Sequence, residues 1–190
     1  MAQPPPSEKP ALRYALRTAR KAFVATFDDT SRTVLETDLS VNALPFFGSA
    51  RIVAGYHAYG DEIDPVLLLA ALRQRGIVVA FPRVADNGAR LVFHTCARAA
   101  LVPGFKGIME PPATTPEVDP DLILVPLVGI DASGNRIGQG AGHYDRTLAN
   151  LTARTLGLAW DVQLVDTIQA DPWDRPLDAL ATPTRLLIFG

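Results

Sequence analysis

One cysteine, Cys96, stands in the 190-residue chain, and no second one exists to pair with it. An intramolecular disulfide is excluded, and so is a zinc site built from several thiolates. Neither sign of charge dominates. With 18 basic against 20 acidic residues the formal net charge is −2, which gives no global electrostatic reason to bind nucleic acid or an anionic membrane. Long apolar runs are missing too: the opening MAQPPPSEKP has no apolar core of signal-peptide length, and no later run approaches the ~20 residues that span a bilayer. Neither G-x-G-x-x-G nor G-x-x-x-x-G-K-[ST] occurs, which removes the dinucleotide fingerprint and the P-loop. These absences lead us to expect a soluble, cytoplasmic, monomeric protein that acts on small molecules, without nucleic-acid or membrane partners.

What remains is 48% hydrophobic and only 20% charged, enough for one full core. We expect a single domain over residues 8–190 and a disordered tail over 1–7. From Glu8 to about Thr26, Leu12, Leu16, Ala19, Phe23 and Phe27 recur at helical spacing, with Arg13, Arg17, Arg20 and Lys21 at other positions. A second helix runs through Val34, Leu35, Leu39 and Ala43 until Pro45 stops it. RIVAGYHAYG then reads as a strand entering a loop. DEIDPVLLLAALRQRG reads as a helix with Asp64 as N-cap, Pro65 in its first turn and Gly76 as its stop, followed at once by strand IVVAFP. Strand, helix and strand in so short a span make a parallel βαβ unit.

RLVFHTC adds a strand, whereas Leu101 to Pro120 holds five prolines and two glycines and is expected to be a long irregular loop. In DLILVPLVGI, Leu122 to Val125 are continuously apolar, as in a strand buried on both faces. YDRTLANLTA reads as helix through Tyr144, Leu148 and Leu151, then LGLAW and RLLIF as strands. The expected fold is α/β, a three-layer α/β/α domain around a mostly parallel sheet, with ligands beyond the C-terminal ends of its strands.

NRIGQGAGHYDR follows the most apolar strand. Gly138, Gly140 and Gly142 let the backbone take positive φ and come close to a ligand, and the helix starting near Tyr144 adds its free amides. Arg136 supplies a mobile forked cation. On spacing alone the glycines serve equally as a tight turn or as an anion cradle. Asp145 is either a magnesium ligand beside phosphates or a helix N-terminal acid favoured by the dipole.

With that segment in place, the chain resembles the 5-formyltetrahydrofolate cyclo-ligase family. Its K-x-x-L-R pattern is Lys9, Leu12 and Arg13; its D-E-[IV] is Asp61, Glu62 and Ile63; its strand ending in P-R is Pro82 and Arg83. GIMEPP (107–112) resembles its G-I-x-E-P segment, and PWDRPLDALATPTR its acidic, proline-rich end. The resemblance implies a three-layer fold binding MgATP and a reduced folate in adjoining pockets. ATP would contact Lys9, Arg13, Arg136, Ile137, Gly138, Gln139, Gly140, Ala141, Gly142, His143 and Tyr144. Tyr56, Glu62, Gly140, Gly142 and His143 would meet the folate. Asp145 and Asp174 would hold Mg²⁺, and His143 and Arg136 would serve catalysis. His143 stands where the family usually has a tyrosine, and Gly129-Ile130 where an aromatic is common.

The activity implied is ATP- and Mg²⁺-dependent conversion of 5-formyltetrahydrofolate to 5,10-methenyltetrahydrofolate, with phosphorylation of the formyl oxygen and attack by N10. Taken singly, each residue has a plainer reading: Lys9 and Arg13 on a solvated helix face, Glu62 before a helix, Asp174 in a turn, His94 and Cys96 in a sheet. Arg17, Arg20 and Lys21 are expected to be solvated. Tyr56, Tyr59, Phe105 and Trp160 either line a pterin pocket or pack in the core. Two other classes stay open, a sugar-phosphate isomerase or acyl-CoA transferase on a similar fold, and a folate- or nucleotide-binding protein without turnover.

Overall fold

The computed structural model describes residues 9–84 and 90–189, so the tail expected over 1–7 lies outside the described residues. Five parallel strands form the middle of a seven-stranded sheet: β1 (Ile52–Ala54), β2 (Val78–Val84), β6 (Leu122–Pro126), β9 (Arg154–Leu158) and β11 (Ala179–Ala181). The antiparallel strands β3 (Leu91–Thr95) and β12 (Leu186–Ile188) close its edges, in the order β12-β11-β9-β6-β1-β2-β3. The βαβ unit is present as β1, α3 (Val66–Gln74) and β2. Its helix begins one residue later than the punctuation indicates: Pro65 is the cap, and Asp64 accepts the Val66 amide at 3.0 Å while its carboxylate grips Arg98.

Alternation along the strands sorts the core into two faces. Val53, Leu122, Leu124, Leu156 and Leu158 point to one face, packed with α2 (Asp29–Ala43) and α3; Ala54, Ile123, Val125 and Leu180 point to the other. That second face is covered by the six-residue α4 (His143–Leu148) and by segments around Leu127, Ile130 and Leu177. The three layers are therefore unequal. Asp28 caps α2 by accepting the Ser31 amide at 2.7 Å, which holds its carboxyl below the usual range.

Four segments differ from expectation. The apolar stretch before the glycine motif is broken after Pro126, and a hairpin of β7 (Gly129–Asp131) and β8 (Arg136–Ile137), whose second strand is the start of the motif itself, stands between β6 and the glycines. β10 (Leu164–Val165) joins this hairpin in a separate sheet. The proline-rich segment folds a short hairpin, β4 (Val102–Pro103) with β5 (Met109–Glu110), because two-residue strands need no long unbroken run. The helix expected to reach Leu151 stops at Leu148, where Asn150 and Leu151 make turn bonds to Thr147 and Leu148. Trp160, placed by its sequence in a strand, lies beyond the end of β9.

Helix α1 (Lys9–Val24) lies on the small sheet. Leu16 packs with Val128, Ile137 and Ile168, and a Cβ on Gly129 would overlap the Leu16 side chain. Arg20 is buried rather than solvated, with Nη1 donating to the Leu127 carbonyl at 3.3 Å.

Candidate active site

Lys9, Arg13 and Arg17 recur every four residues, so they form one stripe along α1. That stripe meets the glycine loop. Arg13 Nε donates to the Gly138 carbonyl at 2.8 Å, and Arg17 Nη2 donates to the Gln139 carbonyl at 2.9 Å and to its Oε1 at 2.5 Å. Arg17, expected in solvent, is a second clamp on the loop beside Arg13, and its spacing from Arg13 was the signal for it. On the other side of the loop Gln139 Nε2 donates to Glu62 Oε1 at 2.7 Å. Glu62 is only 6% exposed, and its second oxygen accepts the Tyr59 amide at 3.0 Å.

The loop's own backbone is ordered by sign. Carbonyls of Gly138, Gln139, Ala141 and Gly142 accept from arginine side chains or from the Arg146 amide, whereas none of the amides of 138–142 donates a hydrogen bond among the described residues. Gly140 and Gly142 have φ of 102° and 69°, a region that other residues rarely occupy. Gly138 has no such φ, and a Cβ there would meet nothing within 4 Å. Ile137 is buried under α1 with its carbonyl bonded to the Val128 amide, which leaves the loop anchored at its start.

Two acid–base pairs flank the loop. Arg136, expected to be mobile, is pinned: it is buried, donates to Asp145 Oδ1 at 2.5 Å and to the Arg175 carbonyl at 3.3 Å. Lys9 Nζ lies 2.5 Å from Asp171 and 2.6 Å from Asp174. Burial opposes both charges here, but the mutual hydrogen bonds outweigh it, holding the Lys9 pKa above and the Asp174 pKa below their ordinary values. Asp171 gave no signal in sequence beyond lying three residues before Asp174. No group of three metal-ligating side chains occurs among the described residues. The hard oxygens of Asp145 and Asp174 suit Mg²⁺ by chemistry, with phosphate oxygens and water needed to complete a shell.

The aromatic residues divide. Tyr56 is buried in the main core and its hydroxyl donates to the Ile63 carbonyl at 2.8 Å; burial lifts its pKa well above the usual value. That hydroxyl proton is given to the protein's own backbone. Trp160 is also core, its ring tilted against Phe23 and Phe27, and Tyr59 faces solvent. Phe105, on the proline-rich hairpin, meets His143 edge to face with ring centres 5.4 Å apart. Tyr144 is packed beside it, its pKa raised by burial and by the Glu62 charge. His94 Nδ1 donates to the Thr115 carbonyl, 2.7 Å away, and makes no pair with Cys96.

Arg83 and Glu110, two of the motif residues, pair beneath the hairpin at 3.7 Å. Glu110 Oε1 accepts the Phe105 amide at 3.2 Å, and Gly104 has no Cβ because the Glu110 carboxylate fills that space. The motif thus fixes the element that brings Phe105 to the glycine loop.

A mostly parallel α/β sheet thus carries a glycine loop, a cationic helix stripe and a buried carboxylate side by side. The chain matches the 5-formyltetrahydrofolate cyclo-ligase family over residues 5–183. It is 33% identical to 5-formyltetrahydrofolate cyclo-ligase of Mycolicibacterium smegmatis over 96% of this chain and 97% of that protein. It is 41% identical to that of Haemophilus influenzae over 87% and 94%. The fold is similar to 5,10-methenyltetrahydrofolate synthetase of Aquifex aeolicus, with a TM-score of 0.77, 28% identity and coverage of 93% and 92%. The chain belongs to the 5-formyltetrahydrofolate cyclo-ligase family.

Proposed function

We propose that the protein converts 5-formyltetrahydrofolate to 5,10-methenyltetrahydrofolate in an ATP-dependent reaction that releases ADP and phosphate, the phosphate carrying away the formyl oxygen. The reading is of a monomeric, cytoplasmic enzyme. The observation that supports it best is the loop at 138–142, whose carbonyls are held by Arg13, Arg17 and Arg146 so that its amides remain as donors beside a buried glutamate.

The formyl oxygen of an amide-like group is a poor leaving group until it is phosphorylated. The loop amides and the α1 stripe position the triphosphate, so that the formyl oxygen can take the γ-phosphoryl group in line. N10 then attacks the formyl carbon, loses its proton, and phosphate departs to leave the methenyl bridge. Glu62 orients the pterin by accepting from it at the oxygen that Gln139 otherwise holds, and Phe105 with His143 walls the formyl group from water. Asp145 and Asp174 would hold Mg²⁺, which when bound neutralises charge on the phosphates. No protein nucleophile is needed.

Purified protein mixed with MgATP and 5-formyltetrahydrofolate should form the methenyl product, followed by absorbance, in step with ADP. Absence of both products at every pH from 5 to 8 would overturn the proposal.

A further inference from the structure

The side chain of Gln139 touches both halves of the site at once, Glu62 through Nε2 at 2.7 Å and Arg17 through Oε1 at 2.5 Å. Arginine offers only donors and a carboxylate only acceptors, so these neighbours dictate which end of the amide points where. With Arg13 on the Gly138 carbonyl and Arg17 on the Gln139 carbonyl, the loop tip is docked between α1 and Glu62. Glu62 is almost fully buried, and its two oxygens are held by Gln139 and the Tyr59 amide. A ligand donor reaching Glu62 must share or displace the Gln139 bond.

We propose that Gln139 couples the nucleotide and folate subsites, both ligands favouring the undocked loop, so that each strengthens binding of the other. This rests on the preceding assignment of Glu62 to the folate and of the glycine loop to ATP. Folate takes the Glu62 oxygen that Gln139 holds. Nucleotide phosphates draw Arg13 and Arg17 from neutral carbonyls, because hydrogen bonds between two charged groups are the stronger ones. Either event frees Gln139 from one partner and lowers the cost of freeing it from the other. Ligands that prefer the same state bind with positive, reciprocal coupling. Gln139 is a positioning residue in this scheme, acting through Glu62 and Arg17.

The test measures 5-formyltetrahydrofolate affinity by calorimetry, with and without a non-hydrolysable ATP analogue and Mg²⁺. Wild-type protein should bind folate about fivefold or more tightly in the presence of the analogue. Gln139→Ala should bind folate more tightly than wild type when nucleotide is absent, and its ratio should fall to within about twofold of one. Arg17→Ala should shrink the ratio in the same direction, and Arg17→Lys should restore part of it. A Gln139→Ala ratio equal to that of wild type overturns the proposal, as does weaker folate binding by that variant without nucleotide. Wild-type protein that binds neither ligand overturns the assignment of the site itself, a result visible before any variant is made.

Discussion

Arg136 and Asp145 lie 2.5 Å apart, the guanidinium buried and the carboxylate at the solvent edge of the glycine loop. The cation at the start of the loop is therefore already compensated, and the acid is the partner with freedom to turn outward. Asp145→Asn keeps an oxygen for Arg136, so stability should change by about 1 kcal/mol. Turnover at limiting Mg²⁺ should fall by roughly tenfold or more. Thermal melts and a magnesium titration of the rate check both halves; full activity at low Mg²⁺ would remove Asp145 from the metal.

The three glycines separate by backbone. Gly138→Ala introduces a Cβ that meets nothing within 4 Å and needs no positive φ, so the fold should be unaffected or gain about 0.4–1 kcal/mol. Its KM for ATP should nonetheless rise if the proposed phosphate cradle uses that space. Gly140→Ala, at φ 102°, should cost about 1–3 kcal/mol of stability as well. Equal KM values for Gly138→Ala and wild type would show that ATP keeps away from this position.

His143→Tyr preserves a ring opposite Phe105, whose centre is 5.4 Å away, and supplies a hydroxyl donor. Activity should be retained or raised in the steady-state assay. A folded but inactive variant would give the imidazole a role of its own.

Asp131 holds the β7–β8 turn: Oδ1 accepts the amides of Ser133 and Asn135, and Oδ2 accepts the Asn135 side chain and the Ile168 amide. Burial opposes its charge, but these four donors win and hold its pKa below the ordinary value. Asp131→Asn turns a donor toward a donor and should cost about 1–3 kcal/mol in urea melts. The turn precedes Arg136 directly, so activity should decline with stability.

The Lys9–Asp174 pair carries a pH signature. Asp174 is depressed below 3.8, so its share of stability is full above that value and drains as pH falls through the folded one. Lys9 is raised above 10.5, and its share is lost as pH rises through its folded value. The melting difference between wild type and Asp174→Asn should be flat between these limits and shrink below pH 3.8. A difference undiminished in acid would mean that the carboxylate charge is not the source.

The βαβ unit was legible because Asp64, Pro65 and Gly76 punctuate one uninterrupted apolar helix. The glycine loop was legible by composition, and Glu62, Lys9 and Arg13 through the motifs around them. What the sequence could not display was long-range choice of partner. Arg17 repeats the spacing of Arg13, yet the carbonyl it holds lies 122 residues away. Tyr56 looks amphipathic in sequence, and only the fold shows its hydroxyl spent on Ile63. The proline-rich hairpin was hidden because two-residue strands carry no period.

Gly129 and Leu16 occupy one volume between them, where α1 rests on the small sheet. A larger residue at 129 must be matched by a smaller one at 16, or α1 must ride higher on the small sheet. Because Lys9, Arg13 and Arg17 travel on that same rigid rod, its height sets how deeply three cations reach over the loop. Substitutions in this hydrophobic contact would thus retune nucleotide affinity without altering a single polar residue.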